Sequence, residues 1–205
     1  MTARRSGATE SGDAGRMNQR HETAGPSDQV SVAAHPPGYP IELEQSLTLR
    51  GGHRVFVRPV IPADELAIER AWRDADAETL YQRFFTSRPK LDARRLHGLI
   101  HVDYQWRLAL VAFAEDDQGV GVARYEGAPG QEQAEIALVV HSAWRRVGLA
   151  SALLRLLEEA ARMRGIRRLT ALCLQENSAM TELLVKAGFS LPQVNAGVAA
   201  AEKTL

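Results

Sequence analysis

The sequence predicts an α/β (α+β) protein: a mixed central sheet of about six to seven strands with helices on both faces, preceded by a disordered tail. Three observations predict it. Apolar or β-branched runs of strand length recur along the chain, as VFVRPV, LALVAF, GVGVARY, AEIALVV and RLTALCL. Stretches with helical apolar spacing lie between several of them. Short polar turns join the early strands, whereas a helix joins the last two of these runs, which requires both antiparallel and parallel pairing in one sheet.

The elements follow in order. Residues 1–40 are Ser, Thr, Gly, Ala, Pro and charge without apolar periodicity, and are expected to be disordered, with Met17 as a second initiation position inside them. Pro36-Pro37-Gly38-Tyr39-Pro40 marks the boundary, and 41–54 is a lead-in segment with a Gly51-Gly52 turn. The folded domain is placed at 55–205, opening with a strand from Val55 to Val60. Pro62, Asp64 and Glu65 start a helix that runs to about Trp72. Further helices are expected over Ala75–Phe84 and Leu91–Ile100. Leu108–Phe113 and Gly119–Tyr125 form a hairpin, and Ala134–Val140 the central strand. A helix from Ala150, with apolar residues at Leu153, Leu154, Leu157, Ala160 and Ala161, stops at Gly165. Strand Arg168–Leu174, helix Ser178–Ala187 and an extended segment from Phe189 complete the chain.

Composition narrows the class. In 205 residues, 25 basic side chains balance 25 acidic ones, which gives no bulk electrostatic reason to expect nucleic acid or an anionic membrane as partner. Cys173 is the only cysteine, so neither a disulfide framework nor a thiolate metal site is expected. No apolar run reaches membrane-spanning length, and the cytoplasm is the expected compartment. His97 and His101, four apart, lack a third ligand nearby in sequence, so no metal is expected.

The informative stretch is Arg145-Arg146-Val147-Gly148-Leu149-Ala150, between the apolar strand and the amphipathic helix. A small residue here lets backbone approach an anion, the unpaired N–H groups of the opening helix turn point at it, and two arginines add charge-assisted bonds. The turn lacks the Lys-Ser/Thr pair of nucleotide hydrolases and the three-glycine dinucleotide fingerprint.

The spacing Arg145-x-x-Gly148-x-Ala150 resembles the coenzyme A signature of the GNAT superfamily of N-acetyltransferases. The order of elements is similar to the GNAT fold, as is Asn177 followed by Lys186-Ala187-Gly188-Phe189. Met180 stands where that pattern has alanine, and Leu184 where many members carry tyrosine. The strings RVFVRPV, LYQRFF, VDYQWRLALVAF, GVGVARYEG and AEIALVV resemble bacterial protein-lysine acetyltransferases, including those that modify acetyl-CoA synthetase.

The resemblance implies acetyl-CoA as co-substrate and a protein lysine as acceptor. It implies that Leu138, Val139 and Val140 offer backbone to the thioester and pantetheine. Arg145, Arg146, Val147, Gly148, Leu149, Ala150 and Ser151 then cradle the pyrophosphate. Asn177 binds cofactor or caps the helix that follows it. Glu135 matches the proposed general base. Among apolar neighbours its carboxylate is expected to be desolvated and raised in pKa; the alternative is a solvated residue at a frayed strand start. Ser178, Tyr81, Tyr125 and His141 are candidates to protonate the leaving thiolate, since Leu184 cannot. Tyr81, Arg83, Phe84 and Phe85 fall where the fold lines its acceptor side. A small-amine acetyltransferase and a non-catalytic acyl-CoA-binding module are the competing readings.

Overall fold

Both faces of the central strands are covered, and this explains the sequence pattern. The structure, a computed structural model, describes residues 35–190 and 192–205. The expected disorder of 1–40 falls largely outside the described residues.

Among the described residues eight strands form one sheet, two more than the sequence pattern singles out. They are β1 (Gln45–Thr48), β2 (Arg54–Pro59), β3 (Arg107–Phe113), β4 (Gly119–Gly127), β5 (Gln133–Val140), β6 (Arg168–Leu174), β7 (Gln193–Asn195) and β8 (Val198–Thr204). Their order across the sheet is β1-β2-β3-β4-β5-β6-β8-β7, and only the β5–β6 pairing is parallel. The two additional strands are the edges. Residues 41–54, read as a lead-in, thus contribute β1, which pairs with β2 from Gln45↔Val57 to Thr48↔Arg54.

The helices are α1 (Glu65–Asp74), α2 (Ala77–Phe84), α3 (Ala93–Ile100), α4 (Leu149–Met163) and α5 (Ser178–Lys186). Asp76 and Asp92 cap α2 and α3, accepting the amide protons of Thr79 and Arg95. Leu153, Leu154, Leu157, Ala160 and Ala161 of α4 are buried against one face, together with Leu108, Leu110, Ala123, Tyr125 and Ile136. Ala109, Val111 and Phe113 point the other way, into a smaller core with Val60, Ile100, Ala67 and Ile68 under α1 and α3. β3 is therefore apolar throughout because it has no solvent face.

At Gly121 on β4 a side chain would crowd α4: a Cβ there would lie 3.1 Å from Leu149 Cδ2 and 3.2 Å from Leu153 Cδ1, so both leucines would have to give. Close approach of α4 to the sheet fixes where the first turn of that helix ends up, beside the end of β5. Among the described residues no helix is long and apolar enough to cross a membrane.

Candidate active site

β5 and β6 pair only at their beginnings, from Gln133↔Arg168 to Ile136↔Ala171. Beyond Ile136 they part. β5 continues to Val140 bonded to β4 alone, through Ala137↔Arg124, Leu138↔Ala123, Val139↔Val122 and Val140↔Gly121. A cleft of about 290 Å³ fills the gap, walled by β5, β6, α2 and the start of α5.

Backbone alternation decides which amides face it. His141 N donates to Val120 O on β4 at 2.9 Å. Peptide groups reverse direction at each residue, so those of Val139 and Ala137 also turn to β4. The peptide groups of Leu138 and Val140 turn away from β4, into the cleft, where no strand among the described residues meets them. This is a break in the sheet that apolar patterning does not encode.

Glu135 lines the cleft just before the parting, on the strand face shared with Ala137 and Val139. Its side chain is exposed. The desolvation expected from its apolar neighbours is absent, because Ala134 and Ile136 turn their side chains into the core while Glu135 turns to the open face. Directly across on β4 lies Glu126. It is held by Arg107 Nε at 3.0 Å and by Arg124 Nη2. Both arginines also donate to the Gly98 carbonyl of α3.

From α2, Thr79, Gln82 and Arg83 line the same cleft, with Phe85 at the helix end. Burial, and then repulsion from Arg124, push the Arg83 guanidinium down to about 10, against the pull of Glu135 and Glu126. Asp76 accepts from Thr79 N at 2.7 Å and Thr79 Oγ1 at 2.8 Å, which holds its carboxyl below the usual carboxylate range. Arg145 reaches across to the same spot, its Nη2 donating to Thr79 Oγ1 at 2.6 Å.

The turn into α4 is left-handed at Arg146 (φ 67°) and at Gly148 (φ 95°). No side chain among the described residues caps the helix, so its first amides have no side-chain acceptor there. Space around Gly148 is open; a Cβ there would meet nothing within 4 Å.

Of the residues singled out from sequence, Glu135, Leu138, Val139, Val140, Arg145, Ala150 and Asn177 line the cleft. Arg146 and Ser151 are exposed beside its end. Val147 packs partly on the core, and its carbonyl accepts from Arg50 N at 3.1 Å. Leu149 is 1% exposed, so it can offer a ligand backbone only. Asn177 caps α5, accepting from Met180 N at 3.0 Å. Tyr125 is fully buried on the α4 side and donates to Gln105 O at 2.9 Å, away from the cleft. His141 accepts from Ala143 N, and neither it nor Tyr81 lines the cleft. Leu184 is fully buried. His97 and His101 stack on each other, with ring centroids 3.8 Å apart. Thr79, Gln82, Leu172, Cys173 and Glu176 are lining residues that the motifs did not indicate.

Comparison with known proteins agrees with this architecture. The model of the acetyltransferase (GNAT) family matches residues 70–189. An acetyltransferase of Pseudomonas aeruginosa is 28% identical over 145 residues, covering 69% of this chain and 78% of that one. The crystal structure of the GNAT domain of S. lividans PAT is 31% identical, covers 82% of this chain and 99% of that chain, and superposes with a TM-score of 0.77. At 23% identity, a Salmonella typhimurium protein solved with its cofactor acetyl-CoA shares the fold, with a TM-score of 0.60 over 74% of this chain and 94% of that one. A family match that spans more than half of the chain, with β3 to β6 and both walls of the central gap, settles membership: the chain belongs to the GNAT family and is an acetyl-CoA-dependent acetyltransferase.

Proposed function

We propose that the chain moves the acetyl group of acetyl-CoA to a protein lysine side chain by direct attack, with Glu135 as general base acting directly or through one water. The observation that carries this reading is the contrast between two opposed carboxylates. Glu126 is occupied by Arg107 and Arg124, while Glu135, open to solvent at the parting of the strands, has no hydrogen-bond partner among the described residues. A lysine ammonium has no lone pair, so its proton must be taken before attack, and a solvent-reachable carboxylate at the cleft is the group to take it.

The surroundings fit a thioester of coenzyme A. The free peptide groups of Leu138 and Val140 present N–H donors toward a carbonyl oxygen. Val139 forms the floor between them. Arg145, Arg146 and the backbone of Val147 to Ser151, with the open Gly148, suit a pyrophosphate at a helix N-terminus. Asn177 borders the pantetheine path from its capping position. Acetyl-CoA supplies an activated acyl group, and no covalent enzyme intermediate is required. Thr79 Oγ1 is committed to Asp76 and Arg145, so Ser178 carries the lining hydroxyl left to protonate a departing thiolate.

The lysine assignment draws on the resemblance to bacterial protein-lysine acetyltransferases and on the likeness to the PAT domain. Labelled acetyl-CoA incubated with this protein and a cell lysate tests it. Label is expected on protein and to fall sharply with Glu135→Gln. Label confined to small amines would remove the lysine reading, and undiminished transfer by the variant would remove the base.

A further inference from the structure

Arg83 stands apart from Arg95, Arg107, Arg124 and Arg145, the other guanidiniums near it. Arg124 and Arg107 are tied to Glu126 and to the Gly98 carbonyl. Arg95 donates to Lys90 O and lies over the rings of Trp72 and Phe84. Arg145 is held by Thr79. Arg83, half-buried, has neither a hydrogen bond nor an ion pair among the described residues; its recorded contact is the ring of its own neighbour Phe84, 4.9 Å from the guanidinium carbon. A cation withdrawn from water without an anion is costly, and burial already pulls its protonation equilibrium down to about 10. Such a group persists where a ligand supplies the missing charge.

Its place in the fold says which ligand. Arg83 lines the cleft with Glu135, at the end of β5 far from the left-handed turn and the α4 terminus that suit a pyrophosphate. It also attracts Glu135 without reaching ion-pair distance. The cleft therefore presents one unpaired positive and one unpaired negative group side by side at its acceptor end. An acceptor that complements both carries an amine for Glu135 and a carboxylate for Arg83.

We infer that Arg83 is a specificity residue that selects acceptor amines with a carboxylate beside them, which in a protein is a lysine flanked by an acidic side chain or a C-terminal lysine. This rests on the lysine reading above and adds which lysines are chosen.

The test uses single-lysine peptides with aspartate or asparagine placed in turn at each of the three positions on either side, plus a C-terminal lysine as free acid or amide. At one or more positions the acidic peptide is expected to have a kcat/KM roughly tenfold higher than its neutral isostere, the scale of one charge-assisted hydrogen bond. Arg83→Gln should erase that preference, and Arg83→Glu should reverse it toward peptides with arginine at the same position. Retained thermal unfolding of Arg83→Gln guards against a folding artefact, and the Gln variant alone decides if the Glu variant does not fold. Equal turnover of acidic and neutral peptides, or a preference that survives Arg83→Gln, overturns the inference while leaving lysine acetylation intact. Failure to acetylate any peptide, with small amines labelled instead, overturns the lysine reading and this inference with it.

Discussion

Glu126 and Glu135 face each other across the β4–β5 ladder, and only one of them is neutralised. Like charges directly opposed in a sheet repel. Here the repulsion is relieved on one side, where Arg107 and the buried Arg124 converge on Glu126. Glu135 is left as a carboxylate with solvent access at the mouth of the gap.

Glu135→Gln should lower the transfer rate by about 10²–10⁴-fold, the usual contribution of a general base. Its dissociation constant for coenzyme A should stay within error of the parent, since the amides of Leu138 and Val140 and the turn into α4 are untouched. Initial rates and calorimetry separate the two effects.

Removing the other carboxylate should act on stability. Glu126→Ala strands Arg124, whose side chain is 7% exposed, and should cost about 2–4 kcal/mol. Glu126→Gln keeps an acceptor and should cost less. Denaturant midpoints at constant m-value measure both.

At the start of α4, Gly148→Ala places a Cβ in open space but at φ 95°. The penalty is conformational, about 1–2 kcal/mol. Distortion of the turn should also weaken coenzyme A binding, and Arg146→Ala should weaken it without the stability loss. An unchanged dissociation constant in both variants removes the cradle.

Lys203 Nζ lies 2.7 Å from Glu158 Oε2, both side chains nearly buried, and also donates to Ala187 O. Lys203→Met should destabilise by about 1–3 kcal/mol because the nearly buried Glu158 would keep only Arg162 Nη2, at 3.6 Å, as its cation. Adding Glu158→Leu should recover most of it. A double variant no more stable than the single one would mean that the pair matters less than its packing.

Burial raises the Cys173 thiol above its ordinary pKa, with the Thr181 hydroxyl opposing weakly. The thiolate is therefore scarcer at neutral pH than in the unfolded chain, and alkylation should be slow in native buffer, faster in denaturant, and faster as pH rises. Equal rates in the native and unfolded protein would contradict this burial.

Much of the fold was legible because burial leaves a compositional trace. Leu108–Phe113 reads as a strand since both its faces are covered, and α4 shows its single apolar stripe. The edges left no such trace: Gln45–Thr48 and Gln193–Asn195 are short, and β7 is exposed throughout. The turn between β5 and α4 was legible as a motif, yet Leu149 within it serves the core. Glu135 was singled out by pattern with two environments open, and the solvated one is observed, since alternation places its neighbours inside and the residue itself outside. The parting of β5 and β6 depends on where two strands diverge in space, which no local pattern records.

That parting has a consequence for how the molecule is assembled. β6 shares four ladder positions with β5 but seven with β8, from Arg168↔Thr204 to Leu174↔Val198. One wall of the gap is thus braced mainly by β8, which lines no part of the cleft itself. Without Val198–Thr204 in place, β6 would keep only its four ladder positions with β5, and that wall of the cleft would lose most of its support. Lesions in a strand that touches no substrate would then surface as lost turnover.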